Sequence, residues 1–412
     1  SGWMKGAAPE QDAAAPSELP KFQAAGEYKF DRPDVHAGDR PAGASFASRP
    51  PALGCSGAAG TAHPLATQAA IEMLKKGGSA VDAAVAANAV LGLVEPTSSG
   101  LGGDCYALVA KPDRPVWGYN GSGRSGAKAS YEALRDAGLR AIGNSIHAVT
   151  VPGSIEAWEQ VLKAHGRFGL DRVLRAAIGY AEDGFPVAPR VAWDWQRHVA
   201  KLAADPGASK HYLFNGKAPR EGDVIRFPAL AQTLKTIAAK GTKGFYEGDV
   251  GAEMAATVAA RGGVLTEEDF ANHRGDAVAP ISTNYRGIDL VEIPPNGQGI
   301  TALVMLNILE NFDIKSLEAL GPERFHLMLE AARIGYAVRD THVADPKPMR
   351  IELGAGGEKS LDEAAELLAQ AKFPIVLAGG GVVMGNAVEE TSELAERLGA
   401  PVVTGYLRND AF

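Results

Sequence analysis

An alanine-rich segment with almost no polar face is the feature that most restricts how this chain can fold. Residues 80–93 read AVDAAVAANAVLGL, and their apolar positions surround a helix instead of forming one stripe. A helix of this kind must be covered on all sides, which requires a large core. It is too short to cross a membrane, since that takes about 20 apolar residues. We therefore predict a buried helix inside a sizeable layered domain.

The segments on either side alternate between helical and strand-like patterns. Further helices are predicted at residues 64–76, 154–165, 170–183, 228–240, 250–261, 301–312 and 322–339. Strands are predicted at 105–110 and 116–119, which form a hairpin, and at 286–293. Helices and hairpins without a regular β-α-β alternation indicate a layered α/β fold rather than a simple Rossmann array.

Charge and cysteine content exclude several classes of partner. Lys and Arg total 41 against 49 Asp and Glu, a net charge of −8. Because nucleic-acid binding needs a cationic face, we expect no nucleic-acid partner. Cys55 and Cys105 are the two cysteines of the chain, so neither a disulfide framework nor a cysteine-rich metal site is expected. No segment is long and apolar enough for a membrane partner either.

The two ends of the chain differ from its middle. Residues 1–50 are rich in Ala, Pro, Gly and charge, which predicts a flexible arm, and their start lacks the apolar region of a secretory signal. A change in character falls near the sequence DPKP at 345–348. The predicted domains are therefore an arm at 1–50, a main domain at 51–346 and a C-terminal segment at 347–412.

The C-terminal segment has the pattern of a partial Rossmann-like unit. A helix at 361–371 precedes a strand at 374–378, the glycines at 379–381, a helix at 387–398 and a strand at 401–404. A strand, a glycine-rich loop, a helix and a second strand are typical of one β-α-β unit of a nucleotide-binding fold. One crossover leaves a sheet edge uncovered, so we interpret the unit as incomplete.

Short segments spread over residues 50–346 resemble the large subunit of γ-glutamyltransferases, in that family's order. They are TAHPLA at 61–66, GGSAVDAAVA at 77–86, VEPTSSGLGG at 94–103, VPG at 151–153, GFYEG at 244–248, GGVLTEEDF at 262–270, YRG at 285–287 and IPPNGQG at 293–299. Each is weak alone, but their order makes the resemblance specific. It implies an N-terminal-nucleophile hydrolase, an α/β fold of αββα sandwich type, incomplete here. Its substrates would be γ-glutamyl amides such as glutathione, and it would use no metal or organic cofactor.

The resemblance also implies a threonine nucleophile that these residues do not supply. In the family, a precursor cleaves itself before a threonine, whose hydroxyl attacks the amide while its freed α-amine acts as the base. That threonine begins a small subunit downstream of the element ADP, which stands here at 344–346. Thr341 followed by His342 resembles a nucleophile with a polar partner, but it lies at the end of a predicted helix. We therefore expect no catalytic residue in this chain and no activity without the small subunit.

Candidate substrate-binding residues follow from the same resemblance. γ-Glutamyltransferases hold the substrate carboxylate with an arginine before an APAKA-like turn, and the aligned residue here is Ser122. Arg124 could supply that cation from a shifted loop, or it could be a surface or structural arginine. Gly102 and Gly103 would permit close approach of a ligand or of a neighbouring strand. The loop NGQG at 296–299 could bind an anion or could simply join a strand to a helix.

Residues 356–412, and FPIVLAGGG at 373–381 above all, resemble the central domain of thiamine-diphosphate-dependent enzymes, sulfoacetaldehyde acetyltransferases in particular. Three functional hypotheses result. The first is a γ-glutamyltransferase-like acyl-amide hydrolase or transferase of the glutathione hydrolase class. The second is a catalytically silent scaffold or carboxylate-binding protein, and the third is a fragment of a thiamine-diphosphate-dependent acetyltransferase. We expect the cytoplasm by default, although many relatives in the family are exported.

Overall fold

The computed structural model describes residues 53–136, 138–140, 142–345, 365–366, 370, 376–378, 388–400 and 402–404. The chain separates into two compact units, Ser1–Ser56 and Gly57–Phe412. The helices and strands described all belong to the second unit. The predicted arm at 1–50 lies outside the described residues, so its flexibility stays a prediction.

The helices confirm most of the sequence pattern. They are α1 Pro64–Lys75, α2 Ala80–Val94, α3 Tyr131–Asp136, α4 Ser154–His165, α5 Leu170–Val173, α6 Arg175–Asp183, α7 Pro189–Arg197, α8 Val199–Ala203, α9 Pro206–Tyr212, α10 Pro228–Lys240, α11 Lys243–Tyr246, α12 Gly248–Ala260, α13 Glu267–Ala271, α14 Ile300–Leu309, α15 Pro322–His342 and α16 Val388–Leu398. The predicted helix at 170–183 is divided at Leu174 into α5 and α6. The short helices α3, α7 to α9, α11 and α13 were not predicted, because they are too brief to show a periodic pattern.

The strands form small sheets. They are β1 Cys105–Val109, β2 Trp117–Gly121, β3 Phe185–Pro186, β4 Val224–Ile225, β5 Asp276–Val278, β6 Ile281–Tyr285, β7 Ile288–Glu292, β8 Val376–Ala378 and β9 Val402–Thr404. Among the described residues, the sheets have the orders β1-β2-β5, β3-β4, β6-β7 and β8-β9. β1 and β2 are antiparallel, as the predicted hairpin requires.

The central helix α2 is held by caps at its start and by apolar contacts along its length. Ser79 and Asp82 form a capping box, in which each side chain accepts from the other residue's backbone N–H. Asp82 is fully buried and also accepts from the backbone N–H groups of Arg167 and Phe168. The rest of α2 is buried on nearly every side, so the predicted buried helix is confirmed.

The main core surrounds α2 and continues towards the sheet. α4 contacts both α2 and the β1–β2 hairpin, and it brings the buried Trp158 against that helix. A smaller cluster, with Ile308, Leu309 and Ala331 buried, joins α14 to α15. The three-stranded sheet therefore lies against a helical layer, and the loop after β7 reaches the end of the central strand β2.

In the C-terminal segment, β8 and β9 are parallel and α16 lies between them in the chain. This is the predicted β-α-β connection. The predicted helix at 361–371 lies mostly outside the described residues, and the loop at 379–381 lies wholly outside them. Among the helices that are described, none has the length and apolarity needed to cross a membrane.

Candidate functional site

The end of β2 carries a closed group of polar side chains, which we call the Ser122 cluster: Tyr106, Asn120, Ser122 and Asn296. Ser122 donates from its backbone N–H and its hydroxyl to Asn120 Oδ1, at 3.1 and 2.7 Å. Asn120 Nδ2 donates to Asn296 Oδ1 at 2.8 Å, and Asn296 Nδ2 donates to Ser122 Oγ at 3.0 Å. The Tyr106 hydroxyl is 2.7 Å from Ser122 Oγ. These reciprocal bonds hold the Ser122 hydroxyl in one position.

Strand pairing brings these residues together. Tyr106 on β1 is directly opposite Asn120 on β2, and Asn120 is opposite Asp276 on β5. Asn296 comes from the loop that follows β7, far away in the sequence. Sequence reasoning singled out Ser122, but it missed Asn120 and Tyr106. Their side chains became recognisable only once the register of the hairpin was known.

Arg124 lies beside the Ser122 cluster but is already engaged. Its Nη2 atom is 3.0 Å from Asp276 Oδ2, and its Nε atom donates to the carbonyl of Arg274 at 3.2 Å. The two side chains of the ion pair are 43% and 66% exposed, so solvent weakens their attraction. A substrate carboxylate at Arg124 would therefore compete with Asp276. Arg124, Ser122, Asn120, Asp276 and Asn296 line one cleft of about 300 Å³, the Ser122 cleft.

Gly102 and Gly103 do not line that cleft. The Gly103 carbonyl accepts from the backbone N–H groups of Gly153 and Ser154, both at 3.0 Å, at the start of α4. A Cβ added at Gly102 would meet no atom within 4 Å. In this structure Gly103 therefore contacts the backbone at the start of α4, while Gly102 faces open space.

Two other glycines are required by close backbone contacts beside the cleft. A Cβ at Gly123 would lie 1.7 Å from the Val151 carbonyl oxygen, and one at Gly153 would lie 2.0 Å from that of Gly121. The Gly123 N–H also donates to Asp104 Oδ1 at 2.7 Å. The loop that carries Ser122 is thus pressed against the segment leading into α4, and side chains at these positions would push it away.

A buried carboxylate supports the sheet beneath the Ser122 cluster. Glu156 on α4 is 2% exposed, and its Oε2 accepts from the Tyr119 hydroxyl at 2.7 Å and from Gly275 N–H at 3.1 Å. The Tyr246 hydroxyl donates to the Pro152 carbonyl at 2.6 Å. Burial raises the pKa of both tyrosines, and for Tyr119 the bond to Glu156 adds to this. Both phenols therefore stay protonated; Tyr119 joins β2 to α4, and Tyr246 joins α11 to the start of α4.

A larger cleft, of about 830 Å³, lies against α12 and α13 and shares Arg124 with the first. We call it the His273 cleft, because that side chain lines it. His273 is 1% exposed and neither ring nitrogen has a protein partner. Burial lowers the pKa of His273, so its ring is neutral. Sequence reasoning missed this residue, since one histidine within ANHRG at 271–275 carries no recognisable spacing.

Of the other candidate residues, Thr341 takes no part in these clefts. Thr341 lies in the last turn of α15, and its hydroxyl donates to the Ala337 carbonyl at 2.8 Å. The loop at 296–299, for which the sequence left open an anion-binding role or a simple turn, contributes Asn296 to the Ser122 cluster, where that side chain bonds to other side chains. Within the part of the chain that the structure describes, no three His, Cys, Asp or Glu side chains are grouped to hold a metal ion.

Comparisons with known proteins identify two families whose models match this chain. A family model described as gamma-glutamyltranspeptidase matches residues 66–372. A second, described as the central domain of thiamine pyrophosphate enzymes, matches 361–412. The chain is 39% identical over 285 residues to a glutathione hydrolase-like YwrD proenzyme of Bacillus subtilis, covering 69% of this chain and 54% of the relative. It is 35% identical over 298 residues to an oxamate amidohydrolase proenzyme of Klebsiella pneumoniae, covering 71% and 56%.

Solved structures agree with these matches. The γ-glutamyltranspeptidase of Helicobacter pylori has a TM-score of 0.69 at 28% identity, over 74% of this chain and 88% of that one. A cephalosporin acylase from Bacillus halodurans has a TM-score of 0.66 at 35% identity, over 74% and 58%. The chain spans 54% and 56% of the two curated relatives named above, roughly half of each.

Proposed function

The chain belongs to the gamma-glutamyltranspeptidase family, and we propose that its described residues form the acyl-binding wall of an amide hydrolase or acyltransferase. The family model and the structural neighbours confirm the resemblance and its N-terminal-nucleophile hydrolase fold. The relatives are named as a glutathione hydrolase-like protein, an amidohydrolase and an acylase. Acyl-amide chemistry is common to all three names, and it is the reaction class that we propose here.

The Ser122 cluster is the observation that supports this proposal best. It lies in a cleft where a hydroxyl and two amide side chains are held by one another. Hydroxyl and amide groups recognise the polar atoms of an acyl group by hydrogen bonds without a fixed charge. Ser122 stands where the family resemblance implies an arginine, so the cleft would favour neutral recognition at this point. A substrate carboxylate would instead have to displace Asp276 from Arg124.

We propose that the nucleophile is the N-terminal threonine of a small subunit, as the family resemblance implies. Its oxygen forms an ester with the acyl carbon while the amide C–N bond breaks. The hydroxyl proton passes to the α-amine and then to the departing amine. Water or an acceptor amine next takes the acyl group. Among the described residues β1 pairs with β2 alone, so its other edge is available to a strand of that subunit.

A chromogenic assay tests the proposed function. The 412-residue chain is incubated with γ-glutamyl-p-nitroanilide, alone and after co-expression with the threonine-bearing small subunit of a relative. We expect release of p-nitroaniline only from the combined protein. Release by the 412-residue chain alone would place a nucleophile within it and contradict the proposal.

Additional measurements separate the two alternative functions. A scaffold or carboxylate-binding protein would bind glutamate but would stay inactive in the combined protein. The thiamine-diphosphate hypothesis is tested by the melting temperature of the chain with and without thiamine diphosphate. Our proposal predicts that the melting temperature stays unchanged. A shift of several degrees would support that hypothesis against ours.

A further inference from the structure

The hydrogen-bond capacity of the Ser122 cluster determines which of its atoms can contact a ligand. A serine hydroxyl donates one hydrogen and accepts two, whereas an asparagine amide donates two hydrogens and accepts two. Each bond formed inside the cluster uses part of this capacity. The capacity that is left belongs to the groups that the cluster can offer to a substrate.

The Ser122 hydroxyl has no capacity left. It donates its hydrogen to Asn120 Oδ1 at 2.7 Å. Its oxygen accepts from Asn296 Nδ2 at 3.0 Å and lies 2.7 Å from the Tyr106 hydroxyl, which is the donor because the Ser122 hydrogen is already used. One donated and two accepted bonds saturate a serine oxygen. Ser122 therefore orients its neighbours, and contact with a ligand is left to the amides of the cluster.

The two amides differ in how well a ligand can reach them. Asn120 is 8% exposed, and its Oδ1 is saturated by the backbone N–H and the hydroxyl of Ser122. Asn296 is partly exposed and lines the Ser122 cleft. Among the described residues, its Nδ2 donates one bond, to Ser122, and its Oδ1 accepts one, from Asn120. One N–H and one lone pair of Asn296 therefore remain for a ligand.

The bonds inside the cluster also fix the direction of this free group. Both ends of the Asn296 amide are held, so its remaining N–H and lone pair point in set directions. A group that is oriented before binding loses little side-chain entropy when a ligand arrives. Arg124 lines the same cleft, but its guanidinium is paired with Asp276 at 3.0 Å. The Asn296 amide is therefore an uncharged group of the cleft that is both oriented and available.

We infer that Asn296 is a specificity-determining residue of the Ser122 cleft and that Ser122 positions it, an inference that rests on the acyl-binding role proposed above. The free N–H of Asn296 donates to the carbonyl oxygen of a ligand amide, and its Oδ1 accepts from the N–H of that amide. A neutral amide offers both groups, whereas a carboxylate offers acceptors alone. The cleft therefore selects ligands that present a neutral amide over those that present a carboxylate at the same point.

Calorimetric titration of the 412-residue chain with glutathione and with glutamate tests this inference, because glutamate has a carboxylate in place of the γ-amide. We expect the parent chain to bind glutathione at least about tenfold more tightly than glutamate. Asn296→Ala removes both amide groups, so the affinity for glutathione should fall at least about tenfold while that for glutamate stays unchanged. A variant that only disturbed the fold would weaken the binding of both ligands equally.

A second variant keeps the test decisive if Asn296→Ala fails to fold. In Asn296→Asp the new carboxylate can still accept from Asn120, and the Ser122 hydroxyl can turn its hydrogen towards it, so the cluster stays closed while the N–H is lost. The affinity for glutathione should again fall at least about tenfold, and the loss should persist as salt is raised, which screens charge repulsion. Asn311→Asp places the same charge at an exposed position outside the cleft and should leave the affinity unchanged.

Three results would overturn the inference. If the parent chain binds glutathione and both Asn296 variants keep that affinity, the acyl-binding wall stands but Asn296 has no part in it. If the parent chain binds glutamate as tightly as glutathione, the cleft does not select a neutral amide. If the parent chain binds no glutathione, the proposed function is contradicted together with this inference.

Discussion

The Ser122 cleft and the His273 cleft share Arg124, but their polar groups are satisfied in opposite ways. In the first, Asn120, Ser122 and Asn296 bond to one another in a closed network. In the second, the buried ring of His273 has no protein partner. A satisfied network fixes the geometry of a site before any ligand arrives, whereas a buried polar group without a partner carries a desolvation cost. The contrast predicts that removing a polar side chain from each cleft will change the free energy of unfolding by very different amounts.

The largest cost is expected at Asp82, the most completely satisfied polar group of the core. It is fully buried and accepts from the backbone N–H groups of Ser79, Arg167 and Phe168. Asp82→Ala leaves these donors without a partner, and we expect a loss of about 3 to 5 kcal/mol in the free energy of unfolding. Urea unfolding measures this. Asp313→Ala, at an exposed turn, is the matched control and should cost less than about 1 kcal/mol.

Asp82 also predicts how stability changes with pH. Burial alone would raise the pKa of Asp82. The hydrogen bonds from Ser79, Phe168 and Arg167 together lower it by more, so the pKa lies below its ordinary value. A folded pKa below the unfolded one gives stability that is complete above the unfolded pKa, about 4, and is lost as pH falls through the folded pKa. Asp82→Ala should lack this part of the acid dependence. An identical acid profile in the variant would contradict the assignment.

The Ser122 cluster should give the next largest effect. Asn120→Ala removes the acceptor of both Ser122 bonds and the donor to Asn296. We expect a loss of about 1 to 3 kcal/mol in the free energy of unfolding, since the remaining partners are partly buried. Asn311→Ala removes an exposed amide that bonds only to helix backbone among the described residues, and it should cost less than about 1 kcal/mol. Equal costs would show that the cluster is not a coupled network.

His273→Phe should change stability very little. Removing a buried group that has no partner relieves a desolvation penalty instead of breaking a bond, so we expect a change within about 0.5 kcal/mol. Urea unfolding beside Asn120→Ala makes the comparison direct. A loss similar to that of Asn120→Ala would mean that the ring is bonded in solution, and the contrast between the two clefts would fail.

The smallest effect is expected for the ion pair between the clefts. Arg124 and Asp276 are both substantially exposed, so Arg124→Ala should cost less than about 1 kcal/mol. A double-mutant cycle with Asp276→Asn isolates their interaction, which should weaken further as salt is raised. A coupling above about 2 kcal/mol would indicate a structural role for Arg124 and would leave it unable to turn towards a substrate.

The sequence predicted the scaffold better than the site, and the reason is physical. The apolar pattern of α2 and the capping residues around it are local signals, so the helices were largely predicted. Ser122 and Arg124 were singled out because a family pattern aligns at the loop they share. Asn120 and Glu156 were missed, since their roles depend on the strand register and on a helix that packs beneath the sheet. His273 could not be found from local spacing, because an absent partner is visible only in three dimensions.

Binding of a γ-glutamyl ligand at the Ser122 cleft tests the proposed acyl-binding wall most directly. Glutathione is titrated by calorimetry into the 412-residue chain, into Ser122→Ala and into Ser316→Ala, which removes an exposed hydroxyl outside the cleft. We predict saturable binding by the parent chain and Ser316→Ala, and at least about tenfold weaker binding by Ser122→Ala, as the loss of one well-placed hydrogen bond implies. Equal affinity in all three proteins, or no binding by the parent chain, would contradict the assignment of the Ser122 cleft as the acyl-binding wall.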